Sequence, residues 1–285
     1  MPKTYNELYI EARRRIKETG TPSYGLEARL IVACAAEKTR EEFLKSLNLY
    51  TSGEVADRVT EMVDRRVAGE PVAYITGEWE FYGLPVIITR DVLIPRTDTE
   101  VLAEMAIIAL RGNKMNARVI DLCTGSGCVG CAIAKNLPAT TVVLADNSPL
   151  ALAVARKNVQ LNRLGPRVTC VETDAMTTPP VMLGSFDLMV CNPPYIPTAD
   201  LEGLDKSVKD YEPYAALDGG KDGLDFYRGI LNGWRGVVRA GGLMMFEVGI
   251  GQAEDVKALM QRAGLRNVGS VKDTLEIDRV VYGNI

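Results

Sequence analysis

The stretch that decides the fold is Val119-Ile120-Asp121-Leu122-Cys123-Thr124-Gly125-Ser126-Gly127-Cys128-Val129-Gly130. It starts with a short run typical of a buried strand, continues through a glycine-rich turn and ends in small and apolar residues that suit a helix. A strand, a glycine turn and a helix in this order open a doubly wound α/β sheet. The glycine spacing is a literal G-x-G-x-x-G, which taken alone also fits a nicotinamide cofactor.

The carboxylate of Asp121 favours a different cofactor. Asp121 lies near the end of the predicted strand, just before the glycine turn. A dinucleotide needs that turn for its diphosphate, and a neighbouring carboxylate disfavours an anion but suits a cation. S-adenosyl-L-methionine carries a sulfonium and an ammonium group and no phosphate. We therefore expect S-adenosyl-L-methionine as the cofactor, with a nicotinamide oxidoreductase as an alternative.

Two more acids follow at the ends of the next predicted strands. Asp146 suits hydrogen bonds from a ribose diol, which either cofactor would offer. Asp174, in Thr173-Asp174-Ala175, suits an adenine amino group, although it is equally suited to forming a turn. The predicted cofactor-binding residues are Asp121, Cys123, Thr124, Gly125, Ser126, Gly127, Asp146, Asn147, Asp174, Ala175 and Asn192.

A stiff turn follows the fourth predicted strand, Phe186–Cys191. It reads Asn192-Pro193-Pro194-Tyr195. Two prolines stop the strand, and the residue before a proline is held extended. An amide and an aromatic ring thus come together at the sheet edge where open α/β folds bind ligands. This pair is suited to holding a planar group that bears an NH2; the alternative is an ordinary proline-rich loop.

Alternating helices and strands are predicted throughout residues 96–285, which indicates a Rossmann-like, mostly parallel seven-stranded sheet. The expected helices cover 98–110, 128–135, 149–161, 224–238 and 252–263. The expected strands cover 118–122, 141–145, 168–171, 186–191, 242–248, 268–271 and 279–282.

The N-terminal part has a different pattern. Residues 1–68 predict a bundle of four helices that begin after Thr4, Ser23, Thr39 and Ser52, each a residue type that caps helices. We expect this bundle to dock a partner, the alternative being a structural cap. Residues 69–95 predict a β-hairpin linker with strands at 73–76 and 84–89. The aromatic cluster between them, which includes Phe81, is expected to form a hinge core or a pocket wall.

Composition excludes several kinds of chemistry. The 285 residues contain no histidine and carry a net charge of -4, so catalysis that depends on histidine is excluded. Cys128 and Cys131 have C-x-x-C spacing but lack a second ligand pair for zinc. We expect no metal and reduced thiols, with a redox centre as the alternative. No apolar run approaches the ~20 residues of a membrane span, and the first residues lack a targeting pattern. We therefore expect a cytoplasmic protein without membrane contact.

Taken together, these motifs resemble the HemK/PrmC family of release-factor glutamine methyltransferases, within the class I S-adenosylmethionine-dependent fold. The resemblance covers nearly the whole chain. Besides N-P-P-Y, it rests on the segments 73–84, Val92-Leu93-Ile94-Pro95-Arg96 with Thr99-Glu100, and 211–224. N-P-P-Y is shared with adenine-N6 methyltransferases of DNA and RNA, whereas the other segments are more specific.

The chain departs from the family pattern at two places. Cys123 stands where the family often has glycine, and Thr97-Asp98 replaces a common Pro-Glu. Cysteine is small and Asp98 keeps the negative charge, so both changes are mild. The first puts in doubt any cofactor contact that needs a glycine backbone at position 123.

The resemblance implies an enzyme that methylates the side-chain amide nitrogen of the glutamine in the Gly-Gly-Gln motif of class-1 peptide chain release factors. The implied catalytic residues are Asn192, Pro193, Pro194 and Tyr195; these four, with Phe81 and Arg96, are the expected substrate-binding residues. The implied organisation is a docking bundle at 1–68, the linker at 69–95 and the methyltransferase domain at 96–285. We expect a monomer that makes no direct contact with nucleic acid.

Two other functions compete with this one. An adenine-N6 methyltransferase would use the same acceptors for a base amino group, but the negative net charge and the absence of an evident basic recognition domain oppose it. A binding module that has lost its chemistry would keep the fold, but the intact acids and N-P-P-Y oppose that interpretation.

Overall fold

The chain divides into two compact units in a computed structural model that describes residues 2–112 and 116–285. The first unit comprises Met1–Glu78 together with Asp205–Tyr211, and the second comprises Trp79–Leu204 together with Glu212–Ile285. The first unit therefore draws on two separate stretches of the sequence.

The first unit is helical. Its helices are α1 (Tyr5–Lys17), α2 (Tyr24–Ala35), α3 (Arg40–Ser46), α4 (Gly53–Val67), α5 (Val72–Thr76) and, from the second stretch, Lys206–Lys209. Thr4 and Thr39 each form a capping box with the glutamate three residues on, and the Ser52 hydroxyl accepts from the Val55 N–H. These three helix starts are confirmed.

Ser23 precedes α2 as predicted but does not cap it. Its hydroxyl donates to the Glu27 carboxylate at 2.8 Å and makes no cap hydrogen bond. The core of the unit is formed by the apolar stripes of α1, α2 and α4, in which Ile16, Ile31 and Val63 are buried. A stripe repeated every three to four residues is what a helix needs to pack on its neighbours.

The strand predicted at 73–76 is wrong, because these residues form helix α5. The β-branched and aromatic side chains that suggested a strand are buried, and packing overrides their local preference. Gly77 ends the helix with a left-handed φ of 72°, a conformation that glycine adopts without strain. The hairpin itself exists further on, as β1 (Glu78–Phe81) and β2 (Leu84–Ile87), joined by Tyr82-Gly83 with both φ values positive.

The second unit is built around a seven-stranded sheet. Its strands are β3 (Arg118–Leu122), β4 (Thr141–Asp146), β5 (Val168–Glu172), β6 (Phe186–Cys191), β7 (Val238–Glu247), β8 (Arg266–Lys272) and β9 (Asp278–Asn284). Its helices are α6 (Glu100–Leu110), α7 (Cys128–Asn136), α8 (Pro149–Leu161), α10 (Asp225–Gly233) and α11 (Ala253–Arg262). The label α9 is given to Lys206–Lys209, which belongs to the first unit.

The strand order is β5-β4-β3-β6-β7-β9-β8, and β9 runs antiparallel to both neighbours. The predicted fold class, a mostly parallel α/β sheet with an N-terminal helical region, is confirmed. The helix predicted at 224–238 is shorter than expected, because the chain turns at Trp234, which is fully buried among apolar side chains of this unit.

The topology creates one special edge. The strand order reverses its direction at β3: β4 and β5 lie on one side of it, and β6 and the remaining strands lie on the other. Leu122 is level with Ala145 on one side and with Cys191 on the other. The residues that follow these three strands are therefore neighbours, at the kind of switch point where open α/β sheets bind ligands.

No helix within residues 2–112 and 116–285 is both long and apolar enough to cross a bilayer.

Candidate active site

The glycine turn after β3 is tightly packed against β4. A Cβ atom on Gly130 would lie 2.2 Å from Leu144 Cδ2, and one on Gly127 would lie 2.9 Å from Leu144 Cδ1. Gly127 also has a φ of 80°. The first turn of α7 can approach β4 only because these side chains are missing.

Asp121 is the buried acid beneath this turn. It is 2% exposed, and its Oδ2 accepts from Thr124 Oγ1 at 2.6 Å and from the Gly130 N–H at 2.9 Å. Burial raises the pKa of Asp121 to about 7, although both hydrogen bonds act in the opposite direction. The carboxylate holds the turn closed and places negative charge at its base.

Asp146 connects the ends of the two central strands. Its Oδ2 accepts from the Gly125 N–H at 2.8 Å, and its Oδ1 accepts from the Ser148 N–H at 2.9 Å. Burial raises its pKa, and the backbone donors lower it. Since each carboxylate oxygen has a second acceptor site, Asp146 can still accept hydrogen bonds from a ligand hydroxyl.

A cavity opens at this edge, between the glycine turn and the turn after β6. Most of the predicted cofactor-binding residues line it: Asp121, Cys123, Thr124, Gly125, Ser126, Asp146, Asn147, Ala175 and Asn192. Gly127 and Asp174 are not among the lining residues. Asp174 Oδ1 accepts from the Met176 N–H at 2.8 Å, so this side chain forms a turn, and its contact with adenine stays a prediction.

The charged residues that line the cavity indicate which cofactor it can bind. Asp91, Asp121 and Asp146 line it, while no lysine or arginine is among its described lining residues. Such a surface suits a ligand that carries positive charge and repels a diphosphate. The residues present thus fit S-adenosyl-L-methionine and do not fit a dinucleotide.

The N-P-P-Y turn closes the opposite wall. Asn192 and Pro194 line the cavity. Asn192 Nδ2 donates to Thr99 Oγ1 at 3.3 Å. The Tyr195 hydroxyl donates to Glu247 Oε1 at 3.4 Å, and the Tyr195 carbonyl accepts from Gln252 Nε2 at 2.9 Å. The turn is therefore held at both ends by fixed side chains.

Four predicted substrate-binding residues do not line this cavity: Pro193, Tyr195, Phe81 and Arg96. Phe81 is 1% exposed at the end of β1, which makes it a core residue. The Arg96 guanidinium pairs with the buried Glu212 carboxylate, which also accepts from the Ile94 N–H at 3.4 Å. Burial raises the pKa of Glu212, and Arg96 opposes that rise.

The Arg96–Glu212 pair has a structural consequence for the cavity. Pro95 and Pro213, each adjacent to one member of the pair, are both lining residues. The ion pair therefore connects two parts of the cavity wall that are far apart in the sequence.

Sequence reasoning missed three polar residues around the site: Thr99, Asn158 and Glu247. The Asn158 side chain accepts from the Ile87 N–H at 2.6 Å and donates to the carbonyls of Ile87 and Ser126 at 3.0 and 2.9 Å. It thereby joins β2 to the glycine turn. Nothing in the local pattern of α8 indicates these contacts, whereas Thr99 stands in a segment that carried the resemblance.

Of the two C-x-x-C cysteines, Cys128 lines the cavity, whereas Cys131 does not. Cys128 and Cys131 are both buried and unpaired. Burial raises the pKa of Cys128 to about 12 and raises that of Cys131 as well. A thiol that stays protonated is a poor nucleophile, so this pair does not suit a redox centre.

The switch-point topology and the acidic cavity define the protein as a class I methyltransferase. The catalytic domain of hMettl16 shares this fold, with a TM-score of 0.57 at 17% identity over 79% of this chain and 82% of that one. Two family models also match: the PrmC N-terminal domain at residues 7–77 and the methyltransferase small domain at residues 99–203.

Sequence relatives identify the family of methyltransferases to which the chain belongs. The release factor glutamine methyltransferase of Geobacter sulfurreducens is 42% identical over 273 residues, 96% of this chain and 94% of that protein. The protein of the same name from Moorella thermoacetica is 40% identical over 97% of this chain and 96% of that protein. The chain belongs to the family of release factor glutamine methyltransferases, enzymes of a type that uses S-adenosyl-L-methionine.

Proposed function

We propose that this protein transfers a methyl group from S-adenosyl-L-methionine to the side-chain amide nitrogen of the glutamine in the Gly-Gly-Gln motif of class-1 release factors. Beyond family membership, one observation carries the proposal. Asn192 lies on the wall of an acid-lined cavity, with its Nδ2 already engaged by Thr99. Its Oδ1 is thereby available to accept a hydrogen from a planar amide.

Residues on two walls of the cavity are proposed to have separate roles, one wall binding the cofactor and the other the substrate amide. Asp146 is proposed to hold the ribose hydroxyls, and the charge of Asp121 favours a cationic ligand above the glycine turn. When bound, S-adenosyl-L-methionine supplies an electrophilic methyl group. Asn192 Oδ1 and the Pro193 carbonyl are proposed to accept the two hydrogens of the glutamine NH2, while Tyr195 supports the turn from behind.

This arrangement addresses the main chemical difficulty. The nitrogen lone pair of an amide is delocalised into the carbonyl, which makes it a poor nucleophile. Two fixed acceptors orient the nitrogen and stabilise the positive charge that develops on it during transfer. The proton can leave during or after transfer, so no strong base is needed. Loss of one such acceptor should cost ~3 kcal/mol of transition-state stabilisation, or about 10²-fold in rate.

The decisive experiment is mass spectrometry of a purified class-1 release factor after incubation with the enzyme and the methyl donor. A single added methyl group on the glutamine of Gly-Gly-Gln is expected. Asn192→Ala should lower the rate of transfer by about 10²-fold, while calorimetric affinity for the cofactor stays close to that of the wild type. Near-full turnover by Asn192→Ala would rule out the mechanism.

The same experiment with labelled donor tests the adenine-N6 alternative. We expect label in the release factor and none in DNA or RNA. The cavity walls and the net charge of -4 offer little to a polyanion, which binds mainly through lysine and arginine. Transfer to nucleic acid alone would instead establish the alternative.

The organisation that we propose for the whole chain follows from this substrate. Residues 1–68 would dock the release factor, 69–95 would link, and 96–285 would catalyse. A monomer acting in the cytoplasm, without direct contact to nucleic acid, fits a substrate that is itself a protein. Crosslinking of the release factor to residues 1–68, detected by mass spectrometry, would test the docking role.

A further inference from the structure

Three segments of the chain meet at the side chain of Gln252, the residue directly before α11. Its Nε2 donates to the carbonyls of Tyr195 and Gly223 at 2.9 and 3.5 Å. Its Oε1 accepts from the Gly249 N–H at 3.0 Å. These partners belong to the end of the N-P-P-Y turn, to the segment 219–224 and to the loop after β7, so one amide connects all three.

The chemistry of its partners fixes the orientation of this amide. A backbone N–H only donates and a carbonyl only accepts, so Oε1 must face Gly249 and Nε2 must face Tyr195. A carboxylate would offer only acceptors at this place, and a cationic side chain would offer only donors. The junction therefore requires a side chain that does both, and Gln252 supplies it.

Glycines surround the junction at places where a side chain would not fit. A Cβ atom on Gly219 would lie 2.7 Å from Tyr195 Cα, and one on Gly223 would lie 2.2 Å from the Tyr195 oxygen. A Cβ atom on Gly249 would lie 2.8 Å from Gln252 Oε1. The three segments approach this closely only because these side chains are missing, which leaves the Tyr195 carbonyl little room to move.

The segment beside the turn also contributes to the cavity wall. Ala216 lines the cavity. Directly after it, the Leu217 carbonyl accepts from the Ile196 N–H at 3.0 Å, and the Ile196 carbonyl accepts from the Gly219 N–H at 2.8 Å. Gln252 therefore lies where two parts of the wall, the N-P-P-Y turn and this segment, are joined.

A displacement of the Tyr195 carbonyl would be passed on to the acceptors of the turn. The rings of Pro193 and Pro194 fix two backbone torsions, so little freedom is left between Asn192 and Tyr195 to absorb a shift. In the proposed mechanism, Asn192 Oδ1 and the Pro193 carbonyl accept the two hydrogens of the substrate NH2. A misplacement of about 1 Å in such a site can cost about 10²-fold in rate.

We propose that Gln252 is a positioning residue, whose hydrogen bond to the Tyr195 carbonyl holds the N-P-P-Y turn where its acceptors meet the substrate amide. The proposal rests on the proposed function, because it takes this turn as the site of the glutamine amide. Gln252 is not among the described lining residues of the cavity. It therefore acts through the turn and not by contact with the cofactor.

Gln252→Glu tests the donor alone. Glutamate keeps the length of the side chain and an acceptor for the Gly249 N–H, but an ionised carboxylate has no hydrogen for the Tyr195 carbonyl. With a release factor as substrate, kcat should fall roughly 10- to 100-fold, while calorimetric affinity for S-adenosyl-L-methionine stays within about twofold. Gln261→Glu makes the same change at an exposed position of α11 and is the matched control, with the kcat of the wild type.

Gln252→Met separates the two hydrogen bonds and covers the case in which the glutamate variant does not fold. It removes the donor and the acceptor without adding charge, and it should lower kcat about as much as Gln252→Glu does. Urea denaturation establishes that each variant is folded under the assay conditions. Wild-type kcat in either folded variant would overturn the proposal, and equal losses of kcat and cofactor affinity would show a merely structural role.

A readout without turnover keeps this proposal apart from the proposed function. In 15N spectra of the free protein, the side-chain amide signal of Asn192, identified by its loss in Asn192→Ala, should shift in Gln252→Glu and stay unchanged in Gln261→Glu. If the wild type does not methylate a release factor, the proposed function fails, and these spectra still decide whether Gln252 holds the turn. An Asn192 signal that is the same in Gln252→Glu as in the wild type would contradict the inference.

Discussion

At the scale of single residues, Cys123 carries a local conflict between sequence and backbone. Its φ is 57°, in the left-handed region where a side chain costs roughly 1–2 kcal/mol. The family resemblance leads us to expect glycine at this position, and the departure from that expectation coincides with a strained backbone. Cys123 lines the cavity, so the strain lies directly in the candidate cofactor site.

Cys123→Gly should therefore be more stable than Cys123→Ala. Both variants lack the thiol, but only glycine relieves the left-handed φ, and we expect a difference of about 1 kcal/mol in the free energy of unfolding. Urea denaturation of the two variants measures it. Equal stabilities would mean that the backbone at position 123 is not strained.

Asp146 is the residue on which cofactor affinity should depend most. Asp146→Ala removes an acceptor for the ligand and frees the Gly125 N–H that it holds. Hydrogen bonds to charged groups contribute ~1.5–3 kcal/mol, so calorimetry should give a roughly 10- to 100-fold weaker affinity. Asp255→Ala is the matched control, because it removes an exposed carboxylate on α11; an unchanged affinity in Asp146→Ala would refute the ribose role.

At the scale of elements, local sequence patterns correctly predicted those helices and strands whose bounds are set by neighbouring residues. The bounds predicted for α8, β3 and β6, which are 149–161, 118–122 and 186–191, are the observed ones. Residues 73–76 were predicted wrongly, because their composition suits a strand while their burial and the flanking Gly77 produce a helix. The partners of Asn158 lie 71 and 32 positions away, which no local pattern can indicate.

Asn158 offers a test of how the hairpin and the glycine turn depend on each other. Asn158→Ala should cost roughly 2–4 kcal/mol of stability, because the N–H of Ile87 and two carbonyls lose their partner. Cofactor affinity should fall as well, since Ser126 lines the cavity. Asn136→Ala, which loses one hydrogen bond within its own helix, should cost about 0.5 kcal/mol or less. Equal effects of the two substitutions would contradict this role.

At the scale of the whole molecule, two buried acids make stability depend on pH. Burial raises the pKa of both Asp121 and Glu247 to about 7. The folded state therefore holds these protons more tightly than the unfolded chain does. Their contribution to stability is complete below about pH 4 and is lost as the pH rises through about 7.

Glu247→Gln should reveal this contribution. Relative to the wild type, the variant should gain stability between pH 5 and pH 8.5, by on the order of 2–3 kcal/mol at most. Denaturation of both proteins at the two pH values gives the difference, in which the other titrating groups cancel. A difference that does not change with pH would show that Glu247 titrates normally in the fold.

The division of the chain into units has a consequence for anyone who cuts or recombines it. Since Asp205–Tyr211 belongs with Met1–Glu78, a fragment that stops at Glu78 is missing a piece of its own unit. A fragment that begins at Trp79 carries that piece without the unit to which it belongs. Exchange of the N-terminal region between homologues should therefore succeed only when the stretch from 205 to 211 is exchanged with it, because the two stretches belong to one compact unit.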